Sequence, residues 1–291
     1  MKKTAIALFI ASLLVGMTTS PFAQASSKVF PGKRPFTAVI PSNYKKSVPA
    51  PLIIVLHGYT SSGASTAGYL QLDAVANKKG FIYVAPNGTL DEATARFWNA
   101  TDSCCNFYKS SVDDGAYLKG IIDTVSKNYS IDPKRIYVIG HSNGGFMTNV
   151  MGCRYSGQIA AIASFAGELY KDASKCAPTS PISVLQIQGT QDETINYQGG
   201  AIGSNKYPGA EETISDWAKY NKCAPVKNAL GIKRDIDSSL SGSETVTSAY
   251  KSCAKGVGVE LWSVVGGAHV PTLSKDFSAQ LIDWLYAHPK A

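Results

Sequence analysis

Short, continuously apolar runs alternate along this chain with stretches in which apolar residues recur every three or four positions. Residues 52–56 read Leu-Ile-Ile-Val-Leu, and similar runs occupy 81–85, 136–139, 160–166, 182–187 and 259–265. Runs without polar interruption are the signature of strands covered on both faces. Residues 35–40 alternate instead and fit an early antiparallel strand. Helical spacing appears at 66–78, 115–128, 143–153, 210–222 and 274–287, the last with Phe277, Leu281 and Leu285 on one stripe. Strand and helix in repeated alternation predict an α/β fold, a mostly parallel central sheet with helices on both faces. No internal repeat, low-complexity tract or linker divides the pattern, so a single domain is expected over residues 26–291.

The first residues lie outside that pattern. Lys2 and Lys3 precede an apolar run at 5–15 that is too short for an ordinary membrane span, and Ala23-Gln24-Ala25 follows as a small-x-small cleavage site. Residues 1–25 are therefore expected to be a signal peptide, and the mature chain a secreted protein, periplasmic or extracellular, without a stable membrane anchor. The formal charge of +7 falls to +5 with Lys2 and Lys3 removed. The remaining basic residues are scattered singly or in pairs, which speaks against a nucleic-acid partner. The sequence does not give the oligomeric state.

Six cysteines in an exported chain imply disulfides. Cys223 and Cys253 bracket a polar insertion, 227–252, and a bond between them would staple it. Cys153 ends the helix at 143–153 and Cys176 stands before the strand at 182–187, so both should lie at the edge of the sheet opposite the active site and are expected to pair. Cys104 and Cys105 are adjacent: they pair with each other, remain partly reduced, or one reaches Cys153 or Cys176. The cysteine and histidine spacing matches no metal motif.

The chemistry is carried by Gly140-His141-Ser142-Asn143-Gly144, a G-x-S-x-G between the strand at 136–139 and a helix. A serine on so sharp a strand-to-helix turn stands clear of the sheet as a nucleophile, and glycines two residues either side relieve the crowding. A serine hydroxyl needs a base. Of the four histidines, His141 adjoins the serine but should point away from it, His57 should shape its own loop, and His288 lies near the C-terminus. His269, in the loop Gly266-Gly267-Ala268-His269 at a strand's carboxyl end, is left as base. Asp192, three residues after Gly189, is the expected orienting acid, with Glu168 as its rival. Glu193 should face away, and Asp113-Asp114 reads more simply as a helix cap. The order Ser142, Asp192, His269 is that of α/β-hydrolases. The backbone amides of Asn143 and Tyr59 are the candidate oxyanion donors, and the side chains of Tyr59, Trp98 and Tyr108 candidate substrate contacts. This chemistry requires neither a metal nor an organic cofactor.

Leu56-His57-Gly58-Tyr59, Trp98-Asn99-Ala100 with Cys104-Cys105, Asp113-Asp114, the Ser142 pentapeptide with Gly145, Gly189-Thr190-Gln191-Asp192 and Gly266-Gly267-Ala268-His269 occur in that order. The set resembles secreted esterases of the polyhydroxybutyrate depolymerase and bacterial feruloyl esterase group, from about Phe36 to Trp284. The resemblance implies an α/β-hydrolase fold and a serine carboxylic ester hydrolase, with Ser142, Asp192 and His269 as nucleophile, acid and base. Its substrate would be a hydroxyalkanoate polyester or oligomer; the alternative is a plant-wall acyl ester, cleaved by a feruloyl or acetyl xylan esterase. Members of the group often follow the catalytic histidine with Trp-Pro, where this chain has Val270-Pro271. Peptidase or lipase activity, and a catalytically silent binding protein of the same fold, are the remaining readings.

Overall fold

The computed structural model describes residues 25–291; the expected signal peptide, apart from Ala25, lies outside them. In chain order the elements are β1 (Ser26–Phe30), β2 (Phe36–Ile40), β3 (Ala50–Leu56), α1 (Gly63–Tyr69), α2 (Leu72–Lys79), β4 (Ile82–Val84), β5 (Thr89–Leu90), β6 (Arg96–Phe97), α3 (Asp114–Asn128), β7 (Ile131–His141) and α4 (Asn143–Tyr155). Then come β8 (Ala161–Phe165), β9 (Ser183–Gly189), β10 (Gly199–Ile202), β11 (Asn205–Pro208), α5 (Ala210–Tyr220), β12 (Lys227–Arg234), β13 (Thr245–Tyr250), β14 (Val259–Val264) and α6 (Phe277–Tyr286).

Ten strands form one sheet in the order β1-β2-β4-β3-β7-β8-β9-β14-β13-β12. The six from β4 to β14 run parallel, and antiparallel pairs flank them on either side. The mostly parallel sheet expected from the sequence is thus present. Its apolar runs feed two cores by simple alternation. Leu52, Ile54 and Leu56 face one core with side chains from α3, α4 and α5, while Ile53 and Val55 face the other with α2 and α6. Helices therefore cover both faces.

Two local expectations are corrected, and one edge strand is unanticipated. The single helix over 66–78 is two: Gln71, at φ 48°, breaks it between α1 and α2. The break lets Leu70 and Leu72 both reach the α2/α6 core, which an uninterrupted helix would not allow. The only glycine nearby, Gly68, lies inside α1 rather than at the break, so the local sequence does not mark its position. Residues 227–252 are not a loop but mainly the hairpin β12–β13, which continues the sheet beyond β14. Much of β12 is exposed, so its sequence lacks the apolar run that marks the inner strands. Finally, β1 adds an edge strand whose first four residues are exposed and carry no apolar pattern.

Disulfides join Cys223 to Cys253, Cys153 to Cys176, and Cys104 to Cys105. The first closes the neck of the β12–β13 hairpin. The second links the last turn of α4 to the segment before β9, at the amino end of the sheet and so opposite the candidate site, as expected.

Candidate active site

Four segments converge at the carboxyl ends of the parallel strands, where open α/β sheets form their sites. Ser142 joins β7 to α4 with φ 56° and ψ −122°, a conformation unfavourable for a residue with a Cβ. Its amide donates to Phe165 O at 2.8 Å, fastening the turn to β8. Gly144 makes the turn possible, because a Cβ there would meet the backbone of Leu56 and His57 on β3's carboxyl end. Gly140 is confined in the same way by the backbone of Gly144.

The structure brings Ser142, His269 and Asp192 together in one hydrogen-bonded series. Ser142 Oγ lies 3.0 Å from His269 Nε2, and His269 Nδ1 lies 2.8 Å from Asp192 Oδ2. The imidazole that fits both contacts carries its proton on Nδ1 and accepts the serine hydroxyl on Nε2. Asp192 is nearly buried, and its carboxylate is held on every side. Oδ1 accepts the amides of Thr194 (2.9 Å) and Ile195 (2.7 Å), while Oδ2 accepts Gln188 Nε2 (2.9 Å) besides the imidazole. Glu168, the rival acid, is wholly buried behind this group and bonds Gln186 rather than any histidine. Asp113 caps α3 by accepting from Ala116 N at 2.9 Å, in line with its reading as a cap.

Two other histidines, His57 and His141, hold supporting places. His57 is buried, with Nε2 accepting the Gly88 amide at 2.9 Å, which ties the end of β3 to the segment before β5. His141 does not turn away from the site as expected. It lines the same cleft, and its Nε2 donates to the carbonyl of His269 at 2.8 Å, holding the base's own backbone. Tyr69 adds a second tie, its hydroxyl donating to Pro271 O at 2.8 Å. Neither residue was singled out by its sequence, because these contacts span 128 and 202 residues.

Burial pulls the pKa of His57 down from 6.5 to about 4, helped by the nearby charges of Arg96 and Arg34. Burial does the same to His141, from 6.5 to about 4, with His269 adding to it. Both values lie below that of a free histidine, so the fold favours the neutral rings. Their stabilisation is complete above pH 6.5 and is lost as pH falls toward about 4. Calorimetry at constant ionic strength is expected to show the melting temperature dropping across that window, and less steeply in a His57→Gln variant. An unchanged slope in that variant would remove His57 from the account.

Tyr59 and Asn143, whose amides are the candidate oxyanion donors, follow directly on Gly58 and Ser142. Gly58 brings its chain so close that a Cβ there would lie 3.3 Å from Ser142 Cβ. Asn143 opens α4, so its N–H has no acceptor within the helix. Its side chain pairs with both backbone groups of Trp98, at 2.7 and 3.0 Å, which locks the segment behind the turn.

An open cleft of about 340 Å³ lies over Ser142, lined among others by Tyr59, Thr66, Tyr69, His141, His269 and Val270. Of the three expected substrate contacts, only Tyr59 lines it. Trp98 is wholly buried, its indole N–H donating to His57 O at 3.0 Å, and belongs to the core under the cleft. Tyr108 is exposed but does not line the cleft; it is its neighbour Phe107 that packs against the Tyr59 ring, edge-on at 5.3 Å. The Cys104–Cys105 pair packs beneath Tyr59 with Phe146, Ile195 and Tyr207. Among the described residues no group of three or more acidic, histidine or cysteine side chains is placed to hold a metal ion, and no helix is long and apolar enough to cross a membrane.

Comparison with known proteins agrees with this arrangement. Residues 41–228 match the family model described as "Esterase PHB depolymerase". Feruloyl esterase B of Piromyces equi is 31% identical over 79% of this chain and 41% of its own length. Poly(3-hydroxyalkanoate) depolymerase C of Paucimonas lemoignei is 27% identical over 90% of this chain and 65% of its own. The chain thus spans less than two thirds of either relative. In fold it is similar to an acetyl xylan esterase from Aspergillus awamori (TM-score 0.62, 15% identity, 90% of this chain and 99% of that one). It is similar too to a ferulic acid esterase from Anaeromyces mucronatus (TM-score 0.55, 16% identity, 91% and 90%). The fold is that of the α/β-hydrolase esterases, and the chain belongs to the esterase PHB depolymerase family.

Proposed function

We propose that the protein is a secreted serine carboxylic ester hydrolase that cleaves hydroxyalkanoate polyesters or their oligomers. The observation that carries this reading is the unbroken hydrogen-bond series from Ser142 Oγ through His269 to Asp192, opening into the cleft. In the proposed reaction Ser142 Oγ attacks the ester carbonyl carbon while His269 Nε2 takes its proton. Asp192 fixes the imidazole and stabilises its charged form. The carbonyl electron pair moves onto oxygen, which the Tyr59 and Asn143 amides receive; one such donor is worth about 3 kcal/mol in related hydrolases. Collapse expels the alkoxide, which takes the proton from His269 and leaves an acyl-serine. Water, activated by the same histidine, then releases the acid. The three disulfides suit an oxidising compartment.

A second substrate class, plant-wall acyl esters, is supported by the relatives named feruloyl esterase B and by the fold neighbours. A panel of hydroxybutyrate oligomers, methyl ferulate and acetylated xylan separates the two. Hydroxybutyrate oligomers are expected to give the highest kcat/KM. A preference for methyl ferulate would move the protein to the second class, and turnover of none of the three, nor of p-nitrophenyl acetate, would overturn the esterase reading.

A further inference from the structure

Behind Asp192 lies a second buried carboxyl that this reaction leaves unused. Glu168 follows β8 and is wholly buried. Gln186 and Gln188 stand two residues apart on β9, on one face of the sheet and also buried. Neighbouring carbonyls fix both amide orientations. Gln186 Nε2 donates to Gly167 O and Glu168 Oε1, each at 3.2 Å, and Gln188 Nε2 donates to Ile195 O at 2.7 Å and Asp192 Oδ2 at 2.9 Å. With those N–H groups committed, three interior oxygens have no donor: Gln186 Oε1, Gln188 Oε1 and Glu168 Oε2. An ionised Glu168 would only add to the excess of acceptors. A protonated Glu168 converts one of the three into a donor for the others.

We propose that Glu168 is a positioning residue: it keeps its proton in the folded protein and donates Oε2–H to the Gln186–Gln188 pair, so that the Gln188 amide is held against Asp192. The inference rests on Asp192 being the acid of the proposed esterase. The surroundings favour the proton. Asp192 faces Glu168 from the loop after β9, Glu212 from α5, and the phenol of Tyr197 from the segment before β10. Glu212 is itself paired with Lys171 at 2.7 Å, so its push is the weaker one. The Thr213 hydroxyl on α5 works the other way but does not bond Oε2. Burial foremost, then Asp192 and Glu212, push the carboxyl from 4.5 up to about 8. Above that pH the donor is lost, Gln188 is released, and a second negative charge stands behind Asp192.

Wild type is compared with Glu168→Gln, which donates but never ionises, and Glu168→Leu, which does neither. The wild type at neutral pH is expected to show an infrared carboxylic-acid C=O band that is missing in Glu168→Gln and fades as pH passes about 8. Glu168→Leu is expected to lower kcat roughly tenfold with KM little changed, a loss in the range that small misplacements cause. Glu168→Gln should recover most of that rate and lack the wild type's alkaline decline. Because the folded value is raised, the group's stabilisation is complete below 4.5 and lost as pH rises through about 8. The melting temperature of wild type relative to Glu168→Gln should fall over that window; the difference matters because His57 and His141 act in the opposite sense. Absence of the band in neutral wild type, or an alkaline decline that persists in Glu168→Gln, overturns the proposal. So does equal kcat in the leucine and glutamine variants. Should neither variant fold, the infrared titration of wild type decides. The band and the melting curves need no substrate, so a protein that cleaves no ester still reports on this proton.

Discussion

Ser142→Ala is expected to lower kcat for ester hydrolysis by about a millionfold while leaving the melting temperature within a degree or two of wild type. The small effect on stability follows from the structure. The serine hydroxyl's contact is with His269, whereas the strained turn is held by backbone: the Ser142 amide on Phe165 O and the packing of Gly140 and Gly144. His269→Ala should cost as much, and the double variant little more, because nucleophile and base act as a unit. Asp192→Asn should cost about ten-thousandfold, since the imidazole is no longer held with its proton on Nδ1. That variant should also lose stability, because Asp192 accepts from two amides and Gln188 as well as from His269. Steady-state kinetics with an activated ester, paired with calorimetry, checks all four. A well-folded Ser142→Ala that keeps more than a few per cent of activity would remove the serine from the mechanism. If Glu168→Gln rather than Asp192→Asn were the crippling change, the acid would have to be reassigned.

The second large effect concerns the hairpin. Replacing Cys223 and Cys253 together by serine opens a loop with a sequence separation of 30. The chain-entropy model puts that bond at about 3–4 kcal/mol. Against a typical domain stability of about 5–15 kcal/mol, this is a large fraction. In a chain of this size each kcal/mol moves the melting temperature by about 2–4 °C, so a fall of about 10 °C is expected in the double variant. Differential scanning calorimetry of the two proteins makes the comparison, and coincident transitions would show that the bond does not constrain the unfolded chain.

Much of the site was legible because each member sits where a buried strand is punctuated. Ser142 stands between an apolar run and a helical stretch, Asp192 three residues past the glycine ending β9, and His269 after a Gly-Gly pair past β14. Such signals are local, and the parallel core that carries them is marked by apolar runs. What stayed hidden depends on contacts between distant segments. Trp98 reads as an aromatic candidate for the cleft until its indole N–H is seen on His57 O, 41 residues away. His141 reads as a bystander until the His269 loop arrives over it. The β12–β13 hairpin has no inner-strand pattern because water reaches much of it, so composition alone presents it as a loop.

That hairpin also reaches back to the proposed base. Asp237 pairs with Leu273 in an isolated bridge, the Ser238 amide donates to Thr272 O at 2.8 Å, and the Ser274 amide donates to Ile236 O at 2.7 Å. The segment just after His269 is therefore fastened to residues that belong neither to the parallel sheet nor to a helix. Ile236 and Asp237 are themselves buried, Ile236 in the core beside α2 and α6. The turn of the hairpin is thus a wedge between that core and the proposed base, and a local opening of it would unseat His269 while the six parallel strands stay paired.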